Sequence, residues 1–205
     1  MLGSMKRPNE ITLSKGIFGL ESNFKDRFFS DYKKIYHLVS HFRGLGCKIV
    51  LAQGSYDMVH IGHARYLEEA RRHGDFLIVG VDSDKKIKAR KGPERPVVPQ
   101  AERLEMLTHL RCVDVVMLKE LKDKKWQLIK TVRPDVLIAT KETYNKTQLK
   151  ALKKYCGKVV VLAPMATTTT SAKIRLLQIK TAKKLEHSLT PKLIQTIQEV
   201  LNGVK

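Results

Sequence analysis

Cysteine is scarce in this chain: Cys47, Cys112 and Cys156 are its only three, and they lie far apart. Neither a disulfide framework nor a zinc knuckle can be built from that spacing, so free thiols in a reducing compartment are the expectation. Aromatic residues make up only 6% of the chain, with one tryptophan, and no aromatic–glycine RNA-recognition motif appears. That removes the platforms on which single-stranded bases stack. No apolar run approaches the ~20 residues that cross a bilayer, so no membrane span is expected. No charged-then-apolar signal segment follows the start, and a cytoplasmic location is the default. Acidic residues are also few, 20 against 39 lysines and arginines, which leaves +19 at pH 7.

That surplus favours an anionic partner: a nucleotide, a phosphorylated metabolite, nucleic acid or an acidic lipid. The basic pairs, such as Lys85-Lys86, Lys124-Lys125 and Lys153-Lys154, are spread along the chain rather than gathered in one stripe. A solvated basic surface therefore competes with nucleic-acid binding, which is admitted but not favoured.

What the chain does have is enough apolar residue, 42% of 205, for a proper core. That length suits one medium domain, or one domain with an appendage. Residues 1–5 look like an expression scar and 6–43 like an irregular lead-in and helix. Residues 44–178 read as the main domain and 179–205 as a helical tail. Phe28, Tyr32, Ile35, Val39 and Phe42 recur at spacings of four and three, which predicts one helix from Ser22 or Asn23 to Gly44. Buried strands are expected at 49–52, 76–81, 113–118, 136–139 and 159–162, with helices at 64–73, 100–110, 126–132 and 148–156. The stretch 87–99 reads as a basic loop. Ser171 to Lys184 reads as a helix, and Thr190-Pro191 as the cap of a separate last helix. This alternation predicts an α/β fold with a doubly wound, mostly parallel, five-stranded sheet. The apolar faces at 28–42 and in the last helix should pack on the core or build a homodimer.

The chemistry concentrates at Ala52-Gln53-Gly54-Ser55-Tyr56-Asp57-Met58-Val59-His60-Ile61-Gly62-His63. A buried strand runs into a helix through this glycine-bearing turn. Such a turn aims free backbone N–H groups and the positive end of the helix dipole at one spot. His60 and His63 there are open to three readings: metal ligands, core residues or phosphate donors. No third ligand stands at a convincing spacing, and two histidines flanking glycine at a strand–helix junction suit phosphate best. Thr167 to Ser171, before a helix that carries Lys173, forms a second anion-binding device. Lys88, Arg90, Lys91, Arg95 and Arg103 gather after the second strand, where a basic loop could clamp a transition state.

The run Gly54 to His63, taken with Thr170-Ser171-Ala172-Lys173-Ile174, resembles the cytidylyltransferase-like nucleotidyltransferases over about Gly46 to Arg175. The stretches Gly74 to Asp84, Arg90-Lys91-Gly92 and Arg95 to Arg103 look most similar to two groups within it. These are the adenylyltransferase domain of the bacterial heptose-phosphate enzyme and the archaeal FAD synthetases. His-Ile-Gly-His is also a signature of class I aminoacyl-tRNA synthetases, but 205 residues leave no room for their tRNA-reading domains.

The resemblance implies transfer of a nucleotidyl group, from ATP first or CTP second, to a phosphorylated acceptor. A sugar 1-phosphate is favoured over an alcohol phosphate, with FMN third. His60, His63, Lys91 and Arg103 would be catalytic. Ala52, Gln53, Gly54, Ser55, Tyr56, Gly62, Asp84, Thr169, Thr170 and Ser171 would bind nucleotide. Mg²⁺ would ride on the phosphates without dedicated protein ligands. Three departures stand out: Tyr56 replaces the usual phenylalanine, Ala172 replaces a common threonine, and the segment 138–144 lacks a glycine–aspartate pair. A rival of another class is a non-catalytic nucleotide- or RNA-binding protein on the same fold.

Overall fold

The computed structural model describes residues 16–18, 22–141, 143–166 and 170–202. The stretch 1–5, most of the lead-in, Thr169 and the side chains of Thr170 and Ser171 lie outside the described residues. The chain forms two compact units, 1–165 and 166–205.

The first unit is built on six parallel strands. They are β1 (Phe28–Phe29), β2 (Ile49–Gly54), β3 (Phe76–Asp82), β4 (Val115–Lys119), β5 (Val136–Thr140) and β6 (Lys158–Leu162), in the spatial order β1-β4-β3-β2-β5-β6. The doubly wound class is as expected, with one strand more than the five read from the pattern. Because a strand turns successive side chains to opposite faces, the apolar runs feed two cores. Val50, Ala52, Leu77, Val79 and Val81 meet Leu67, Leu104 and Leu107 on one face. Ile49, Leu51, Phe76 and Ile78 meet Ile35, Val39, Leu128, Val132 and Leu152 on the other.

The extra strand corrects the single helix expected over 22–44. Asn23 caps a short α1 (Phe24–Arg27), and Asp31 accepts from the Lys33 N–H at 2.7 Å to start α2 (Tyr32–Gly44). Between them Phe28 packs on one core and Phe29 on the other. Two adjacent rings facing opposite ways fit a two-residue period and not a helical one. The expected packing of this face on the core is borne out: Ile35 and Val39 are buried, and Phe42 stacks on Phe76 at 4.2 Å.

Three further helices stand close to their expected places: α3 (Ile61–Arg71), α5 (Gln100–Thr108) and α6 (Gln127–Val132). Helix α7 (Lys146–Leu152) begins two residues early because Asn145 and Gln148 form a reciprocal cap. The first half of the expected basic loop is instead α4 (Asp84–Lys91). Its Ser83 cap accepts from the Lys86 N–H, Ile87 alone is buried, and Gly92 ends it at φ +96°. One inward residue gives no periodic signal, so the charge run hid a helix.

The second unit contains α8 (Thr170–Asn202), a single helix where two were expected. Pro191 sits inside it rather than at a new start. Proline removes one backbone donor and crowds the carbonyl four residues earlier, but helix-forming sequence on both sides carries the helix through. Among the described residues no helix is long and apolar enough to cross a membrane.

Candidate active site

The site lies at the carboxyl edge of the sheet, where β3 and β5 diverge on either side of β2. In open α/β sheets that point is where ligands bind. Gln53 and Gly54 end β2, and the turn after it holds Tyr56 and Met58 at φ 49° each. A Cβ at Gly54 would lie 3.1 Å from the Tyr56 ring, which would have to give by a few tenths of an ångström. The ring is buried and meets His63 edge-on at 5.5 Å. Among the described residues its hydroxyl finds no hydrogen-bond partner, and burial raises its pKa well above the ordinary value.

His60 is the N-cap of α3. Its Nδ1 accepts from the Gly62 N–H at 3.0 Å. A ring nitrogen that accepts holds no proton, so the neutral imidazole carries its proton on Nε2 as a donor. The His63 ring lies 4.2 Å from that of His60, centroid to centroid. The sequence-expected pair is thus brought together at the positive end of an eleven-residue helix.

Asp57, next to the turn, is buried and ties down the segment after α4. Its carboxylate accepts from the Val97 and Val98 N–H groups at 3.1 and 3.0 Å and pairs with Arg95 at 2.7 Å. Burial opposes the charge, but these partners hold its pKa below the ordinary aspartate value.

Lys91 donates to the Ser55 hydroxyl at 3.1 Å, bringing the basic helix end to the β2 turn. Partial desolvation first, then the nearby Arg90 and Arg95, lowers its pKa. Arg103 is placed differently from expectation. Its side chain is fully buried and donates to the backbone carbonyls of Val98, Ser55 and Asp82 and to the Asp84 carboxylate. It ties three parts of the edge together. Asp84 is likewise engaged: it accepts from Arg103 and from the Gln100 N–H, while Gln100 accepts from the Asp84 N–H. Thr170 begins α8 in the second unit.

Sequence reasoning missed the group at the end of β3. Asp82, with its side chain 2% exposed, receives Arg90 and Lys119 at 3.0 Å each, with Lys86 at 3.9 Å. Burial alone would raise this carboxyl; Lys119, Arg90 and Lys86 outweigh it and hold it below the ordinary value. Its position at a strand's carboxyl end was a readable signal, whereas Lys119 belongs to no motif. Gln53, Gly54, Ser55, Asp82, Lys91, Lys119, Trp126, Thr140 and Tyr144 are among the residues lining a cleft of about 660 Å³. In the segment lacking the glycine–aspartate pair, Tyr144 receives a hydrogen bond from the Gln53 amide at 3.3 Å. Burial, then Asp82 and Cys156, pushes its pKa up to about 12. No cluster of three His, Cys, Asp or Glu side chains among the described residues could hold a metal ion.

The family model described as cytidylyltransferase-like matches residues 51–195 of this chain. The chain belongs to that family. "Bifunctional protein HldE" of Nitratiruptor sp. is 40% identical over 113 residues, covering 55% of this chain and 24% of the relative. The protein of the same name from Methylobacillus flagellatus is 38% identical over 142 residues, covering 68% and 29%. The chain thus spans about a quarter of the length of such curated relatives. Among solved structures, the lipopolysaccharide core biosynthesis protein of Thermoplasma volcanium is 27% identical with TM-score 0.52, covering 59% of this chain and all of that one. Pantoate-beta-alanine ligase of Francisella tularensis, at 14% identity and TM-score 0.53, shares the fold. The resemblance drawn from the residues is borne out at the level of the family.

Proposed function

We propose that the protein transfers the nucleotidyl group of a nucleoside triphosphate, ATP before CTP, to a phosphorylated small molecule. The observation that carries this is the His60–His63 pair at the start of α3, its rings 4.2 Å apart and the His60 Nδ1 accepting from the Gly62 N–H. An acceptor phosphate oxygen attacks the α-phosphorus, the bond to the β-phosphate's bridging oxygen breaks, and pyrophosphate leaves. This chemistry asks for position and charge stabilisation rather than a protein nucleophile. His60 and His63 donate to the α-phosphate as its charge builds, and Lys91 offsets acceptor or triphosphate charge. Arg103 serves as a positioning residue, holding Ser55 and Asp84 in place. Thr169, Thr170 and Ser171 are proposed to hold the outer phosphates.

The carboxylates near the cleft are already committed to cations and N–H groups. That donor set fits magnesium carried on the triphosphate, where it neutralises phosphate charge, and not a resident protein-bound ion. A sugar 1-phosphate is the favoured acceptor; the Thermoplasma relative is named a lipopolysaccharide core biosynthesis protein. Pyrophosphate release should be measured with ATP and CTP against a panel of phosphorylated sugars and alcohols. We expect release with one triphosphate, and His63→Ala to reduce it by roughly 10²-fold or more, as loss of a charge-stabilising donor does. Background release throughout, unaffected by His63→Ala, overturns the enzyme reading.

A further inference from the structure

The group around Asp82 has more positive charge than it needs. Three cations, Lys86, Arg90 and Lys119, face one carboxylate, leaving a surplus of two. All four residues line the cleft, and so does Lys91. The arrangement is built into the sheet. Lys119 ends β4 opposite Asp82, its register partner at the end of β3, and its side chain lies over Gly80. A Cβ on that residue would lie 2.9 Å from the Lys119 Cδ and 2.6 Å from Leu128. The Lys119 side chain is only 16% exposed, and Asp82 accepts one of its three N–H donors. Ammonium donors turned to a polar cleft are poorly hydrated there, and an anion would meet them favourably.

This group is not part of the α-phosphate site. His60, His63 and Tyr56 belong with the core face that holds Leu67. Gln53, Gly80, Asp82 and Lys119 alternate with residues of that face and share the opposite one with Leu128. The link between the two is the Lys91–Ser55 hydrogen bond at the turn.

We infer that Lys119, Lys86 and Arg90, organised on Asp82, form a second anion subsite, so that the acceptor carries a further phosphate or carboxylate besides the phosphate that is nucleotidylated. The inference rests on the nucleotidyltransferase reading and narrows its acceptor to doubly anionic phosphorylated compounds. The single-phosphate sugar is then a poorer ligand than its bisphosphate.

The test is calorimetric binding to the full chain without nucleotide. It compares glucose 1-phosphate with glucose 1,6-bisphosphate, and glycerol 3-phosphate with 3-phosphoglycerate. In at least one pair the doubly anionic ligand should bind at least about fivefold tighter, within what one charge-assisted hydrogen bond supplies. Lys119→Met should bring that ratio below fivefold, which general attraction to a +19 surface would not do. Arg90→Gln, at a side chain 55% exposed, should do the same without disturbing the fold. A wild-type ratio under fivefold in both pairs, or a ratio that survives both substitutions, overturns the inference. Failure of the enzyme reading shows elsewhere, as absent pyrophosphate release, so the two can fall separately.

Discussion

The His60 Nδ1 caps α3, and the proposed function gives the same ring a second task as a donor to phosphate. Substitution can separate them. Asparagine caps a helix as well as any residue, whereas alanine loses about 1 kcal/mol of capping. His60→Asn should therefore keep stability within ~0.5 kcal/mol of wild type, since the cap is retained, while pyrophosphate release falls. His60→Ala should lose both. Urea denaturation and the release assay measure the two; full activity in His60→Asn would reduce His60 to a cap. At this scale the histidine pair was legible because its geometry is local: a strand, a glycine turn and a helix start within a dozen positions. The buried setting of Arg103 was not legible because its four acceptors come from Ser55, Asp82, Asp84 and Val98, and only packing brings them together.

Among the elements, β3 bears a constraint that its apolar run conceals. At Gly80 its face is covered by the Lys119, Leu128 and Gln53 side chains. Gly80→Ala should cost roughly 1–3 kcal/mol through overpacking and weaken binding of the doubly anionic ligands above. Denaturation and calorimetry test this together; an unchanged stability and affinity would show that Lys119 does not need the gap. The strands β2 to β5 were readable because residues buried on both faces leave unbroken apolar runs. Strand β1 and helix α4 were not. Two residues carry no period, and one buried isoleucine among lysines carries no stripe.

Over the whole molecule, the +19 charge leaves two classes of partner in competition, triphosphates and nucleic acid. A thermal-shift screen separates them. ATP or CTP at a hundred times its Kd should stabilise the protein by ~2.7 kcal/mol. RNA binding, if dominant, would instead weaken steeply and linearly in log salt. A steep RNA salt slope with no nucleotide shift would favour the non-catalytic reading.

The sequence by itself determined the sheet class, the family and the place of the histidine pair. These depend on runs, turns and spacings that act within a few residues of one another. Tertiary structure decided the rest. It turned Arg103 inward, gathered Lys86, Arg90 and Lys119 on Asp82 across two neighbouring strands and a helix, and set Tyr144 against Gln53. Charge and hydrogen-bonding groups act through space, and their partners here lie far apart along the chain, so this side of the cleft exists only once the chain has folded.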